Sequence, residues 1–258
     1  IGVFHLESGG MRELLRRVGL KRMEDLVAVL AIYRPAAMHT LDDYIMRKTG
    51  KVPQDAAHPL LQPVLKETFG VIVYQEQIIQ AVCVLAGYTP GQADLLRRVM
   101  SERDPEALDA QRGRFVKGCA KKHRIMPEVA EELFDKLARS ADHAFNKAHG
   151  VAHATLSYQA AYLKANHPAE FMASLLSSEM GETGKIQAYI NEAEAMGLRI
   201  LPPDINQGDA RFLPVRNGIR FGLCGIRNIG AAAVDAVLAE RSRNGSYSGL
   251  ADFCIRAD

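Results

Sequence analysis

The spacing of apolar residues along the chain predicts a succession of amphipathic helices. Apolar side chains recur every three or four residues, and Gly, Pro, Asn or Ser separates these runs. Thr89-Pro90-Gly91-Gln92 is typical of a helix start, with Thr89 as N-cap and Gln92 completing a capping box. Asp104 with Pro105 predicts another start. Besides the helices that open at residues 90 and 105, we expect helices over residues 11–18, 23–33, 40–50, 59–69, 75–86, 127–139, 151–166, 168–180, 185–196 and 231–241.

Strand signals are few and lie mostly near the C-terminal end. The run Val71-Ile-Val-Tyr74 is short, apolar and β-branched, which favours a strand or an extended bridge. Asn217-Gly218 predicts a β-hairpin, and Pro214 places the first strand of this hairpin at a sheet edge. Because the chain is nearly all helix before this region and mixed after it, we expect a mainly α fold with a boundary between residues 180 and 201.

A polar stretch over residues 140–153 connects two predicted helices. It brings Asn146, Lys147 and His149 to the N-terminus of the second helix, where free backbone N–H groups and the helix dipole favour an anion. A lysine and a histidine at that end are suited to bind phosphate. The alternative is a polar interhelical loop with a solvated lysine, since such loops are common.

Composition narrows the class of protein without deciding it. The chain has 258 residues, of which 48% are hydrophobic, and this length allows one large or two modest domains. No window approaches the apolar length of a membrane span. Cys83, Cys119, Cys224 and Cys254 form no C-x-x-C pair, which indicates reduced thiols in a cytoplasmic protein rather than a zinc knuckle. Because the chain starts at Ile1 without a signal pattern, we expect a piece of a longer polypeptide.

The net charge of +2 is too small to imply nucleic-acid binding, but basic side chains cluster. One basic run, over residues 111–124, contains no acidic residue. The turn at residues 225–230, ahead of a helix, suits close approach to a nucleic-acid backbone. A solvated helix face and an ordinary turn are the alternatives. The candidate DNA-binding residues are Arg112, Arg114, Lys117, Lys121, Lys122 and Arg227.

Several short motifs, in a shared order and spacing, resemble those of one family. They are Gly2-Val-Phe-His-Leu-Glu-Ser8, Tyr33-Arg-Pro35, Tyr74-Gln-Glu-Gln77, Ala93-Asp-Leu-Leu-Arg-Arg98, Phe145-Asn-Lys147 with His149, Ser157-Tyr-Gln159, His167-Pro-Ala-Glu-Phe-Met-Ala173 and Leu201-Pro-Pro-Asp-Ile-Asn206. The chain resembles the C-family DNA polymerases, the replicative DNA polymerase III alpha subunits of bacteria. It departs from their pattern at Asp142-His143-Ala144, where the family usually has glycine and tyrosine.

The resemblance implies a helical fingers domain over residues 1–184. A connector, a β-hairpin and a helix-hairpin-helix-like segment follow over residues 185–258, as a small α+β unit. The family's fingers bind the incoming deoxynucleoside triphosphate (dNTP) and primer–template DNA, and the nucleotide-binding residues implied here are Arg97, Arg98, Asn146, Lys147 and His149.

The family's DNA synthesis is carried out by palm-domain carboxylates that hold Mg²⁺, a domain preceding this region. We therefore expect no catalytic residue and no metal site in this chain, and no DNA synthesis by the chain alone. The other implied partners are the remaining polymerase domains and, through them, a sliding clamp.

Two other classes of function fit parts of the sequence. His149 and His153 lie four residues apart, on one helix face, and with Asp142 or His143 they could form a metal-dependent hydrolase site. The zinc-protease pattern requires Glu after the first histidine, where Gly150 stands. A non-enzymatic helical module that binds nucleic acid through the basic segment is the other alternative. For Arg97 and Arg98, the alternative is one surface arginine and one that packs its stem over the core.

Overall fold

The computed structural model describes residues 1–102 and 105–257, and in this part of the chain it has thirteen α-helices and three short strands. Two compact units are present: the first is His5–Ser157, and the second holds Ile1–Phe4 and the chain from Tyr158 onward. The helices are α1 Gly9–Val18, α2 Met23–Ile32, α3 Leu41–Lys48, α4 Gln62–Leu65, α5 Gln75–Ala86, α6 Pro90–Glu102, α7 Pro105–His123, α8 Pro127–Ala141, α9 Lys147–Asn166, α10 Pro168–Ser178, α11 Thr183–Ala195, α12 Ala231–Asn244 and α13 Leu250–Arg256.

One core of the first unit lies where α5, α6, α7 and α8 pack together. The predicted capping box opens α6: the Thr89 hydroxyl accepts from the Gln92 N–H, and the Gln92 amide oxygen accepts from the Thr89 N–H. Phe115 and Phe134 meet edge to face, with ring centroids 5.6 Å apart. The largest fully buried side chains of this core are Leu61, Leu65, Ile78, Leu85, Leu96, Met100, Phe115 and Phe134.

A second core of the first unit joins α1, α2 and α3 to the extended segment at residues 71–74. Seven of the ten residues of α2 are buried, because this helix is surrounded by other elements rather than lying on the surface. Tyr44 and Tyr74 are both at most 1% exposed, and Tyr44 meets Phe69 edge to face at 5.6 Å. Ala154 of α9 belongs to the same core, so the first turns of α9 are anchored to α2 and the extended segment.

The second unit is built on a three-stranded sheet with the order β1-β3-β2. Strand β3 (Gly218–Arg220) pairs antiparallel with β2 (Leu213–Val215) and parallel with β1 (Arg199–Leu201). The predicted hairpin is thus present, and Pro214 lies on an edge strand as expected. Helices α10 and α11 cover the sheet around a core that contains Met172, Leu176, Phe212 and Ile219.

The predicted fold class is confirmed: the chain is mainly helical, with one hairpin in its C-terminal part. The predicted boundary between residues 184 and 185 stays a prediction; the structure's division into compact units falls between residues 157 and 158. The predicted helix start at Asp104 lies outside the described residues. No helix of the described chain has both the length and the apolar character needed to cross a bilayer.

Some local predictions were wrong. The predicted helix over residues 59–69 is instead the single turn α4 between two 3₁₀ turns, Pro59–Leu61 and Lys66–Thr68. The helix predicted over residues 40–50 is shorter, Leu41–Lys48, and the Thr40 hydroxyl before it donates to the carbonyl of Ala37. Strand β1 and helix α13 were missed. The correction with the largest consequence concerns α9, which begins at Lys147 rather than at Val151.

Candidate functional site

The loop between α8 and α9 is held in place by the extended segment that precedes α5. Phe145 donates its N–H to the carbonyl of Val73 at 2.9 Å, and its carbonyl accepts from the Gln75 N–H at 2.9 Å. This forms an isolated parallel bridge between Tyr74 and Phe145, so the predicted extended bridge is present. As a result, the first residues of α9 lie beside the first turn of α5.

Two N–H groups at the N-terminus of α9 already have hydrogen-bond acceptors within the protein. The side-chain oxygen of Asn146 accepts from the His149 N–H at 2.8 Å, the bond expected of an N-cap residue. Both carboxylate oxygens of Glu76 accept from the Lys147 N–H, at 3.0 and 3.1 Å. The sequence predicted free N–H groups here, whereas in the structure a carboxylate of the protein occupies the position that favours an anion.

The Lys147 side chain enters a polar cavity of about 540 Å³. Its ammonium group lies 2.8 Å from a carboxylate oxygen of Glu67 and 5.6 Å from the ring centre of Tyr74. Arg22 and Lys66 add two cations to the cavity, and Gln54, Gln77 and Gln80 add neutral polar groups. Three cations thus face two carboxylates, those of Glu67 and Glu76, which makes the cavity a place for a polar, anionic ligand rather than an apolar one.

Arg97 and Arg98 both bind Asp94, one turn earlier on α6. Arg97 reaches one carboxylate oxygen at 2.9 Å, and Arg98 reaches the other at 3.0 Å. Hydrogen bonds from Arg97 hold the pKa of Asp94 below its usual range. The Arg97 side chain is 14% exposed and that of Arg98 is 61% exposed, so one arginine packs over the core and the other faces solvent.

The structure does not bring the two arginines into the cavity that holds Lys147, since neither is among the described residues that line it. The connection between them is indirect. Ser101, one turn after Arg97 on α6, donates its hydroxyl to the carbonyl of Ala141, the last residue of α8. The loop that leads to Lys147 starts at that point. The joint nucleotide site of Arg97, Arg98, Asn146, Lys147 and His149 therefore stays a prediction.

His149 belongs to a cluster of three histidines, which we call the histidine cluster: His5, His149 and His153. The His149 ring lies 3.9 Å from the His153 ring and 5.5 Å from that of Phe145. Nε2 of His5 lies 3.0 Å from Nδ1 of His153. Burial, with the neighbouring imidazoles of His149 and His5, lowers the pKa of His153.

The hydrolase alternative needs a third ligand beside His149 and His153. Within residues 1–102 and 105–257, no group of three or more His, Cys, Asp or Glu side chains is placed to hold a metal ion. His143, one of the two candidates for that ligand, instead packs against His39, with ring centroids 4.7 Å apart. The described geometry therefore gives the hydrolase alternative no support.

Arg34 is a site residue that the sequence reasoning did not identify. Its guanidinium donates to the carbonyls of Ala31 and His143, each at 2.8 Å, and lies 4.4 Å from the ring centre of Phe145. It thus ties the end of α2 to the loop that delivers Lys147. The signal was available, because Tyr33-Arg-Pro35 is one of the motifs shared with the polymerase family.

The candidate DNA-binding side chains of α7 fall into two groups. Arg112 pairs with Asp135 at 2.7 Å, Arg114 lies over Tyr88, and Lys122 donates to two carbonyls of α5. These three hold α7 against its neighbours, a role that the charge pattern did not reveal. The other two, Lys117 and Lys121, are exposed.

In the second unit, the exposed Arg227 lies on the turn before α12. A short 3₁₀ turn, Leu223–Gly225, precedes it, and Asn228 has a left-handed φ of 70° that lets the chain reverse. Helix α12 then begins directly after Gly230. An exposed cation thus lies three residues before a helix N-terminus that has no side-chain cap, and DNA binding by Arg227 stays a prediction.

Comparisons with known proteins find two family matches and several relatives. Residues 1–123 match the family described as the bacterial DNA polymerase III alpha subunit finger domain, and residues 197–258 match the helix-hairpin-helix motif. The chain is 44% identical to the DNA polymerase III subunit alpha of Thermus aquaticus over 99% of its own length, and 41% identical to that of Bacillus subtilis, also over 99%. It spans 21% and 23% of the length of these two relatives.

The two family matches cover residues 1–123 and 197–258, and the relatives align with nearly the whole chain. The finger-domain match includes α5 and α6, which carry the Tyr74–Gln77 motif and the arginine pair, and the helix-hairpin-helix match includes the turn before α12. The chain therefore belongs to the family of the bacterial DNA polymerase III alpha subunits, from which it carries a finger domain and a helix-hairpin-helix motif.

Proposed function

We propose that this chain is the part of a replicative DNA polymerase that binds the triphosphate of the incoming dNTP and the primer–template DNA. The observation that carries the proposal is the sequence identity of 41–44% to DNA polymerase III alpha subunits over 99% of the chain. The whole enzyme requires a divalent metal ion. We propose Mg²⁺, held by carboxylates of a palm domain and by the nucleotide, and no metal site in this chain.

The residues that bind phosphate are Arg97, Arg98, Asn146, Lys147 and His149. A triphosphate in transfer carries dispersed negative charge, and guanidinium groups, an ammonium group and a helix N-terminus stabilise such charge. Lys147 and His149 lie in the first turn of α9. The polar cavity supports the assignment of Lys147, whereas Asn146 and His149 are not among the described residues that line it. Arg97 and Arg98 are paired with Asp94 in this structure, and each guanidinium keeps further N–H donors that can bind phosphate.

Titration of the chain with dATP and Mg²⁺ tests the nucleotide site. We expect the double variant Arg97→Ala/Lys147→Ala to bind at least about tenfold more weakly, because charged hydrogen bonds contribute about 1.5–3 kcal/mol each. Lys117→Ala/Lys121→Ala is the comparison, since it also removes two cations of the first unit. Equal weakening by both variants would mean that nonspecific charge, not a site, attracts the nucleotide.

DNA binding is proposed for the exposed cations Lys117, Lys121 and Arg227. Contacts to phosphate make binding fall steeply with salt, with a loss that grows with the number of phosphates neutralised. Affinity for a primer–template should therefore decrease with added salt, and less steeply after Lys117→Ala/Lys121→Ala than in the parent chain. If the chain binds DNA but does not bind dATP, and dATP does not change the affinity for DNA, the chain is a DNA-binding module only. The nucleotide part of the proposal is then wrong.

A further inference from the structure

Two carboxylates hold Lys147 in this structure, at two different atoms. Glu76 accepts from the backbone N–H of Lys147, and Glu67 binds its ammonium group at 2.8 Å. The two carboxylates come from separate segments: Glu76 lies in the first turn of α5, and Glu67 lies in the 3₁₀ turn Lys66–Thr68. Both line the polar cavity of about 540 Å³.

A phosphate group that binds Lys147 needs the donor that Glu67 now occupies. An ammonium group has three donors, but a bound carboxylate repels an arriving phosphate, because like charges at contact distance oppose each other. The bond to Glu67 must therefore break or lengthen before phosphate reaches Lys147. The backbone bond from Glu76 is different, since it fixes where α9 starts rather than where the ammonium group points.

The Glu67–Lys147 pair has the properties of a contact that can exchange. Its side chains are 31% and 38% exposed, so water screens the attraction and lowers the cost of separation. The cavity next to the pair is large enough to accept a phosphate chain, since pockets for small molecules begin at roughly 300 Å³. When Glu67 withdraws, Glu76 is the remaining carboxylate among the described residues that line the cavity, beside Lys66, Lys147 and an Arg22 that is paired with Asp25.

We propose that Glu67 sets the affinity of the phosphate site: it occupies the Lys147 ammonium group in the nucleotide-free chain, and phosphate binds by replacing it. This inference rests on the proposed nucleotide-binding function. It adds a residue that opposes binding, because Glu67 stabilises the free state and not the bound state.

Titration with inorganic tripolyphosphate, which has no base or sugar, tests the inference in the 258-residue chain. Glu67→Gln keeps the side-chain size and removes the charge. We expect it to bind tripolyphosphate about three- to fivefold more tightly, the bias that a half-exposed ion pair exerts on an equilibrium. Glu131→Gln is the matched control, because Glu131 is an exposed carboxylate on α8 and its removal changes the net charge equally. The control should leave the affinity unchanged.

A second measurement needs no phosphate ligand. In limiting amine acylation followed by mass spectrometry, the Lys147 amine should react faster in Glu67→Gln than in the parent chain, while Lys121 reacts equally in both. The double variant Glu67→Gln/Lys147→Ala supplies the specificity test. If Glu67 acts through Lys147, the tightening disappears in that background.

The outcomes separate the two proposals. Unchanged affinity in Glu67→Gln, with parent binding that depends on Lys147, overturns the role of Glu67 and leaves the nucleotide site intact. Tightening that persists without Lys147, or that Glu131→Gln reproduces, also overturns it, since net charge then explains the effect. If no variant binds tripolyphosphate or dATP, the proposed nucleotide function itself fails, whatever the acylation of Lys147 shows.

Discussion

The Gln77 side chain should contribute more to this fold than its polar character implies. It is 4% exposed, and its amide oxygen accepts from the N–H groups of both Val73 and Tyr74, at 2.9 and 3.0 Å. Its amide nitrogen donates to the hydroxyl of Thr68 at 2.8 Å. Gln77 therefore supplies the acceptor for two N–H groups of the extended segment, and other backbone groups of that segment bind Phe145. In this way Gln77 supports the loop that carries Lys147.

Gln77→Met tests this role, because methionine fills a similar volume but accepts no such bonds. Two buried N–H groups lose their acceptor, and each such loss costs about 1–3 kcal/mol. We expect the variant to lose about 3 kcal/mol of unfolding free energy, a large fraction of the 5–15 kcal/mol that is usual for a domain.

Two measurements apply to Gln77→Met. Urea unfolding followed by circular dichroism gives the change in unfolding free energy. Hydrogen exchange of the peptide around residues 71–77 should become about a hundredfold faster, as 3 kcal/mol requires. Gln80→Met is the control, since Gln80 lies one turn later on α5 and is exposed. A loss below about 1 kcal/mol for Gln77→Met, or an equal loss for both variants, would refute this account of the segment.

Two further predictions concern the same loop. Arg34→Lys should lower the unfolding free energy by about 1–2 kcal/mol, because lysine cannot donate to two carbonyls and stack on Phe145 at once. Urea unfolding measures this loss, and the absence of a loss would mean that Arg34 does not hold the loop. Burial lowers the pKa of His143 from its ordinary value of 6.5, so above pH 6.5 the folded and unfolded chains both carry it neutral. As the pH falls below that value, the unfolded chain takes up the proton first and stability decreases. His143→Asn should flatten this decrease below about pH 6.5, and an unchanged slope would exclude His143 as its source.

Much of the helical framework could be predicted because its signals are local. Gln75–Ala86 was predicted with the bounds that the structure has, since an apolar repeat on one face and Gly87 after its end act within one helix. The capping box at Thr89 and the hairpin at Asn217-Gly218 are local for the same reason. Short elements that depend on distant neighbours, such as the 3₁₀ turns around α4 or strand β1, carry no comparable local signal.

The candidate site could be predicted only in its parts. The sequence indicated that Lys147 and His149 lie near the start of a helix, and the motifs related them to Arg97 and Arg98. It did not show that Glu67 and Glu76 bind Lys147, because those carboxylates lie 80 and 71 residues away along the chain. Likewise, the charge run on α7 did not distinguish cations that pair with neighbouring helices from the exposed Lys117 and Lys121.

The sequence by itself determined the helical class, the hairpin, the family and the residue types of a phosphate site, since periodicity, turn chemistry and shared motifs are properties of adjacent residues. Only the tertiary structure decided which groups of the protein bind those residues. Phe145 pairs with Val73 and Gln75, Arg34 holds the loop, and Glu67 faces Lys147 because packing brings distant segments within bonding distance. Because the partner of a charged side chain comes from a distant segment, the tertiary structure decides whether a lysine forms an ion pair or stays free to bind a ligand.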